Sequence, residues 1–159
     1  MRYMTVAMLA GTFAAALTGA AVGHSVIAAQ PTPTPSAKPS HHIVGPEAIV
    51  WRLSSPGFAT AVVDGDLTKA GMFTMMLRLE DGAWIQPHWH NVDKRLVVIG
   101  GELLMGEGDA VNPSKTTALA AGGLAVVPAG MHHFEGARGL TVVALTAIGP
   151  FQTTYAKGQ

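Results

Sequence analysis

The sequence predicts an all-β domain, a barrel or sandwich of short strands, over residues 46–159. Three observations predict it. From Pro46 onward, short apolar runs alternate with Gly, Pro and Asp. Turn chemistry separates those runs at Asp64-Gly65-Asp66, Asp81-Gly82, Gly106-Glu107-Gly108-Asp109 and Ala129-Gly130. No stretch combines a helical apolar period with a cap.

The strands are expected at Ala48–Leu53, Ala59–Val63, Met72–Leu79, Leu96–Ile99, Leu103–Met105, Leu124–Val127 and Leu140–Ile148. Leu77-Arg78-Leu79-Glu80 alternates as a half-exposed strand does. Many short strands with regular turns close into a barrel or stack as a sandwich. The five methionines Met72, Met75, Met76, Met105 and Met131 suit irregular core gaps better than soft-metal ligation. Trp84 and Trp89 bracket a histidine pair and read as rim packing or as the roof of a pocket.

Composition sets further bounds. The chain has 159 residues, with Lys plus Arg at 10 and Asp plus Glu at 10, so no basic face argues for nucleic acid. It has no cysteine, which excludes disulfides and thiolate metal sites. Residues 1–29 read as an export signal: Arg2 precedes an uncharged Ala- and Gly-rich run that ends at the small residues Ala28 and Ala29. A retained membrane anchor is the rival reading. Residues 30–45 hold Pro31, Pro33, Pro35 and Pro39 and read as an extended linker, with His41 and His42 as solvent-exposed bystanders. The expected location is therefore periplasmic or secreted.

The chemistry concentrates in two stretches. His88 and His90 are two residues apart, which on a strand places both imidazoles on one face, half of a transition-metal site. The second stretch, Gly122 to Glu135, reads as a buried strand, a Pro-x-Gly turn, and then His132 and His133 entering another strand. By alternation Glu135 shares a face with His133, Gln86 shares one with His88 and His90, and His132 points away.

These stretches resemble the two motifs of the cupins, small double-stranded β-helix (jelly-roll) barrels. Gly82, His88, His90 and Gly101 match the first motif, and Gly122, Pro128, Gly130 and His133 match the second. Two residues depart: Lys94 stands where a metal-ligating Glu is usual, and Ala137 where Asn is usual. The resemblance spans about residues 46–155 and implies that His88, His90 and His133 converge as ligands to Fe, Mn, Zn, Ni or Cu. At an effective dielectric of about 20, a Lys charge some 5 Å from a divalent ion costs about 7 kcal/mol. The site is therefore empty of metal, or Lys94 turns its head toward water, or a carboxylate compensates; Glu135 is the best candidate, to ligate the ion or, if the ion is absent, to pair with Lys94.

The expected function is that of an exported cupin whose His-lined pocket binds a divalent metal and acts on, or binds, a small organic molecule. Oxygenase or isomerase chemistry would have Lys94 or Glu135 moving protons. The alternative is a non-catalytic pocket for small anions, drawn by Lys94 to a degenerate metal site. A structural role, with a homodimer built on edge strands, is the third. No nucleic acid, and no membrane after cleavage, is expected as a partner.

Overall fold

The computed structural model describes residues 40–157. The expected export signal and the linker up to residue 39 lie outside the described residues. Nine strands follow in order: β1 (Arg52–Ser55), β2 (Phe58–Asp64), β3 (Gly71–Leu79), β4 (Trp84–His90), β5 (Lys94–Glu107), β6 (Thr116–Ala120), β7 (Leu124–Val127), β8 (His133–Gly149) and β9 (Thr153–Tyr155). Two short 3-10 turns, Pro46–Ala48 and Pro113–Lys115, are the only helical elements among the described residues. All strand pairs are antiparallel.

Two long strands form the spine. β8 pairs with β5 from Lys94↔Ala147 to Glu107↔His133. Its other edge is shared, with β3 along Gly71↔Gly149 to Leu79↔Thr141 and β4 at Trp84↔Gly136 to His88↔His133. The free edge of β5 is shared in the same way by β7 and β6. A strand with different partners along its two halves forces the sheet to curl, and the curled sheet is the jelly-roll barrel. Its inner face buries Phe73, Leu77, Leu79, Leu96, Val98, Leu103, Val143 and Leu145 as one cluster. At about 25 cal/mol per Å² of apolar surface, this cluster supplies the main stabilisation of a chain without disulfides.

Several expected boundaries change. Leu96–Ile99 and Leu103–Met105 are one strand, because the intervening glycines absorb two register shifts, between Val98 and Gly100 and between Gly100 and Glu102. Gly101 has φ of +77°, and a Cβ there would lie 2.4 Å from the Leu140 carbonyl oxygen, so only glycine fits. The expected Leu140–Ile148 strand reaches back to His133. Ala48–Leu53 becomes strand only at Arg52, after the Pro46–Ala48 turn. β6 and β9 were not expected, since both are short and largely exposed. The last residues assigned to the linker line a groove, His42 and Val44 lying with Ile49 against Val63, Thr74 and Met76.

Candidate metal-binding pocket

The first histidine pair sits at the end of β4. Its alternation does not run straight through: the register against β8 shifts between Ile85 and His88. The bulge turns both Ile85 and His88 inward and leaves the Gln86 side chain exposed. Gln86 is therefore not on the ligand face, contrary to simple alternation. Its main-chain carbonyl serves instead, accepting the His88 Nδ1–H at 2.7 Å.

His133 opens β8 opposite His88. The Pro-x-Gly turn positions it: Gly130, with φ of +73°, donates its N–H to the His90 carbonyl at 2.8 Å, tying the turn to the end of β4. Glu135 follows on the same face, and both residues are 1% exposed. His132 is not part of this group. It hydrogen-bonds Asp109 and stacks on Trp89 at 4.1 Å, on the opposite side of the chain.

Each of the three inward imidazoles is fixed by its Nδ1. His88 donates to Gln86 O, His133 to Met131 O at 2.8 Å, and His90 lies 3.3 Å from Gln152 O beside the Thr153 hydroxyl at 3.2 Å. A carbonyl only accepts, so Nδ1 carries the proton and Nε2 carries the lone pair. Nε2 of His90 and of His133 have no partner although both are buried, and the same holds for Glu135 Oε2. Ring nitrogens of the three histidines lie within 4.8 Å of one another. That is close to the diameter of one coordination sphere, about 4.2 Å for nitrogen ligands. Buried lone pairs without donors are costly, and a cation is what such a set accommodates. The donor set fits a divalent transition metal.

Lys94 does not turn toward water. It begins β5, points into the barrel, is 1% exposed, and donates to Glu135 Oε1 at 2.7 Å. Glu135 Oε2 in turn lies 3.6 Å from His88 Nε2, and Oε1 lies 3.6 Å from His133 Nε2. The charge expected to repel a metal is thus matched by a carboxylate in direct contact with it. Asp93 and Arg95, its neighbours in sequence, are exposed, with Asp93 accepting from the Ala129 N–H at 2.8 Å across the Pro-x-Gly turn.

Electrostatics follow from burial. Desolvation, seconded by Lys94, holds His90 at about 3 and His133 at about 4, and desolvation also lowers His88. All three are neutral, as ligands must be. Burial pushes Glu135 upward, but the Lys94 charge bonded to it overrides this and brings the carboxyl down to about 2. Glu135 is ionised at neutral pH.

Above this polar floor lies a cavity of about 170 Å³. Phe58, Met75, Leu77, Ile85, Leu145 and Phe151 form its apolar wall, and Ser54, Thr60, Thr153 and Tyr155 bring hydroxyls. Phe151 stacks on His90 at 4.4 Å and Tyr155 lies 5.6 Å from His88. The sequence reading missed the whole 151–155 segment as a site element. Its only signal is a short aromatic and β-branched run after Pro150. Trp84 covers Gly136 and lies 6.0 Å from Phe134, outside this cavity's lining.

Comparison with known proteins agrees with the geometry. The sequence model of the Cupin family matches residues 54–156, more than half of the chain. No curated protein matches the sequence significantly. Among solved structures, KdgF from Halomonas sp. is 18% identical with a TM-score of 0.56, covering 69% of this chain and 96% of that one. A sugar phosphate isomerase of the cupin superfamily from Silicibacter pomeroyi is 17% identical, TM-score 0.57, covering 73% and 82%. Salicylate 1,2-dioxygenase from Pseudoaminobacter salicylatoxidans, with gentisate adducts, is 18% identical, TM-score 0.55, covering 67% of this chain and 31% of the longer enzyme. At these identities the structures share the fold, and the motif spacing, the curled sheet and the family match agree: the chain is a member of the cupin family.

Proposed function

We propose that this cupin is an exported metalloprotein whose three histidines, His88, His90 and His133, hold one divalent transition metal with Glu135 as the oxygen donor, and that it acts on a small organic molecule in the cavity above. The observation that carries the reading is the pair of buried, partnerless Nε2 lone pairs of His90 and His133, each on a ring whose Nδ1 is already committed, beside His88. A bound ion would supply Lewis acidity toward a ligand oxygen. The chain's own residues do the rest. Lys94 holds Glu135 by Oε1 and leaves Oε2 free toward His88. With Glu135 on the ion through Oε2 and on Lys94 through Oε1, the Lys94 amine is the group left to move a proton to a molecule in the cavity. The gentisate-bound dioxygenase and the sugar phosphate isomerase support small-molecule chemistry for this fold, without naming the substrate here.

Zinc or manganese titrated into metal-stripped, untagged protein should bind at one ion per chain. His88→Ala, His90→Ala and His133→Ala should each abolish most of it, while His132→Ala should not. Equal loss with His132→Ala would overturn the ligand assignment. Export rests on residues 1–29 of the sequence. Intact mass of the secreted protein should begin near Ala29 or Gln30, and a membrane-bound chain retaining Arg2 would replace the signal with an anchor.

One observation favours a second reading, a metal-free binding pocket: the Lys94–Glu135 pair already neutralises the barrel floor. The same titration separates the two, since a metal-free pocket leaves all four variants indistinguishable from wild type.

A further inference from the structure

The three inward histidines are oriented by different means. His88 and His133 each donate Nδ1–H to a carbonyl two positions back in the chain, Gln86 O at 2.7 Å and Met131 O at 2.8 Å. Those anchors form with the local backbone. His90 is anchored from a distance. Its Nδ1 faces Gln152 O at 3.3 Å and the Thr153 hydroxyl at 3.2 Å, which are 62 and 63 positions away. Phe151 completes the set by stacking on the ring at 4.4 Å. Whatever fixes the segment from Pro150 to Thr153 therefore fixes His90.

Asn91, the residue after His90, grips that segment. Its side-chain amide spans Phe151: Nδ2 donates to Pro150 O at 2.9 Å, and Oδ1 accepts the Gln152 N–H at 2.7 Å. A carbonyl needs a donor and an N–H needs an acceptor, so one orientation of the amide satisfies both groups. The β4–β9 ladder holds the next residue, through His90↔Thr153. The Gln152 carbonyl lies between these two grips, and its direction is set from both sides. Leu67 O, which accepts the Phe151 N–H at 2.8 Å, ties the start of the segment to a different loop.

We infer that Asn91 is a positioning residue for His90: its amide clamps the segment so that Gln152 O holds the His90 Nδ1–H, which leaves the Nε2 lone pair for the pocket. The consequence for metal affinity rests on the metal site proposed above. The tautomer of His90 does not, because the clamp is complete in the metal-free chain. Direct partners of a ligating His typically change metal affinity about 10- to 100-fold when removed, and Asn91 acts through such a partner, so the expected loss is about tenfold.

The test compares the mature wild-type chain with Asn91→Ala, Asn91→Ser and Asp81→Ala. Alanine and serine are both too short to bridge Pro150 O and the Gln152 N–H, and Asn91 is exposed, so neither change opens a cavity. Asp81 is the structural comparison: it too accepts a backbone N–H, that of Gly139 at 2.7 Å, but at the other end of β4 from His90. Long-range proton–nitrogen NMR of the metal-free protein at neutral pH reads the ring tautomers. Wild type and Asp81→Ala should show His88, His90 and His133 each as a single Nδ1–H form. Both Asn91 variants should show an Nε2–H form of His90 as well, with His88 and His133 unchanged. Calorimetric titration with zinc should give an affinity about tenfold below wild type for the Asn91 variants and within about twofold of it for Asp81→Ala. His90 remaining a single Nδ1–H form in both Asn91 variants, or becoming mixed in Asp81→Ala too, overturns the inference. A wild type that binds no zinc, with His90 still mixed in the Asn91 variants, defeats the metal reading and leaves the clamp standing. Zinc bound at one ion per chain with the His90 tautomer unmoved in the Asn91 variants defeats the clamp alone.

Discussion

Lys94→Met is the most informative single perturbation. It removes the cation from a pair in which both side chains are 1% exposed and the Nζ–Oε1 distance is 2.7 Å. Methionine keeps much of the stem volume, so the main loss is the charge. Glu135 is then left ionised in a buried site, and breaking a buried pair from one side costs about 3–5 kcal/mol. For a domain of this size that is a drop in melting temperature of about 12–20 °C. Removing both charges, as in Lys94→Met/Glu135→Leu, should recover most of the loss, giving a coupling energy of at least about 2 kcal/mol in the double-mutant cycle. The sign with pH is fixed as well. In wild type the carboxyl is held at about 2, so its contribution is present above the unfolded value near 4.5 and fades as pH falls through 2. In Lys94→Met the main cause of that depression is gone, so the cost should shrink on going from pH 7 to pH 5. Urea denaturation of metal-stripped proteins measures all of this. A Lys94→Met protein within 0.5 kcal/mol of wild type, with an additive cycle, would refute the buried-pair argument.

Other expectations follow from the same geometry. The metal-free protein should lose stability as pH falls below 6.5, because its three histidines stay neutral when folded while the unfolded chain binds protons. The loss is about 1.4 kcal/mol for each pH unit from each of His90 and His133 until their folded values of about 3 and 4 are reached, His88 adds to it in the same direction, and saturating zinc should shift the curve upward. Denaturant melts across pH 4.5–7.5 check it, and a flat profile would contradict it. Glu135→Gln should weaken zinc binding at least tenfold, whereas Gln86→Ala should change it less than twofold, since Gln86 contributes only its carbonyl; calorimetry reads both. Lys94→Met should raise zinc affinity at least threefold, about a tenth of the Coulomb repulsion that a Lys charge some 5 Å away exerts at a dielectric of 20.

The legible parts of the site were those fixed by short-range rules. His88 and His90 share a face because the two lie on the regular end of β4, and His133 and Glu135 because β8 runs straight through them. Gln86 broke the same rule because a bulge sits between Ile85 and His88, and nothing in Trp-Ile-Gln-Pro-His announces which residue will be extra. The fate of Lys94 was open in the sequence: a lysine can swing its head to water or pair with Glu135, and only the fold, which brings Glu135 from 41 positions away into contact, decides between them. Long-range pairing hid the rest. Gly100-Gly101 falls between the two expected strands Leu96–Ile99 and Leu103–Met105, yet opposite a continuous β8 the pair becomes a bulge within one strand. β9 is too short to signal itself, although Gln152 and Thr153 orient His90 and Phe151 covers it.

The central claim is that one ion sits among the three histidines and Glu135. Anomalous diffraction from crystals of the mature protein soaked in zinc or manganese tests it most directly. The account expects a single peak within bonding distance of the Nε2 atoms of His88, His90 and His133, with Glu135 Oε2 as the oxygen neighbour and Lys94 retained on Oε1. A peak at His132 and Asp109 instead, or an empty barrel with the Lys94–Glu135 pair unchanged at saturating metal, would contradict it.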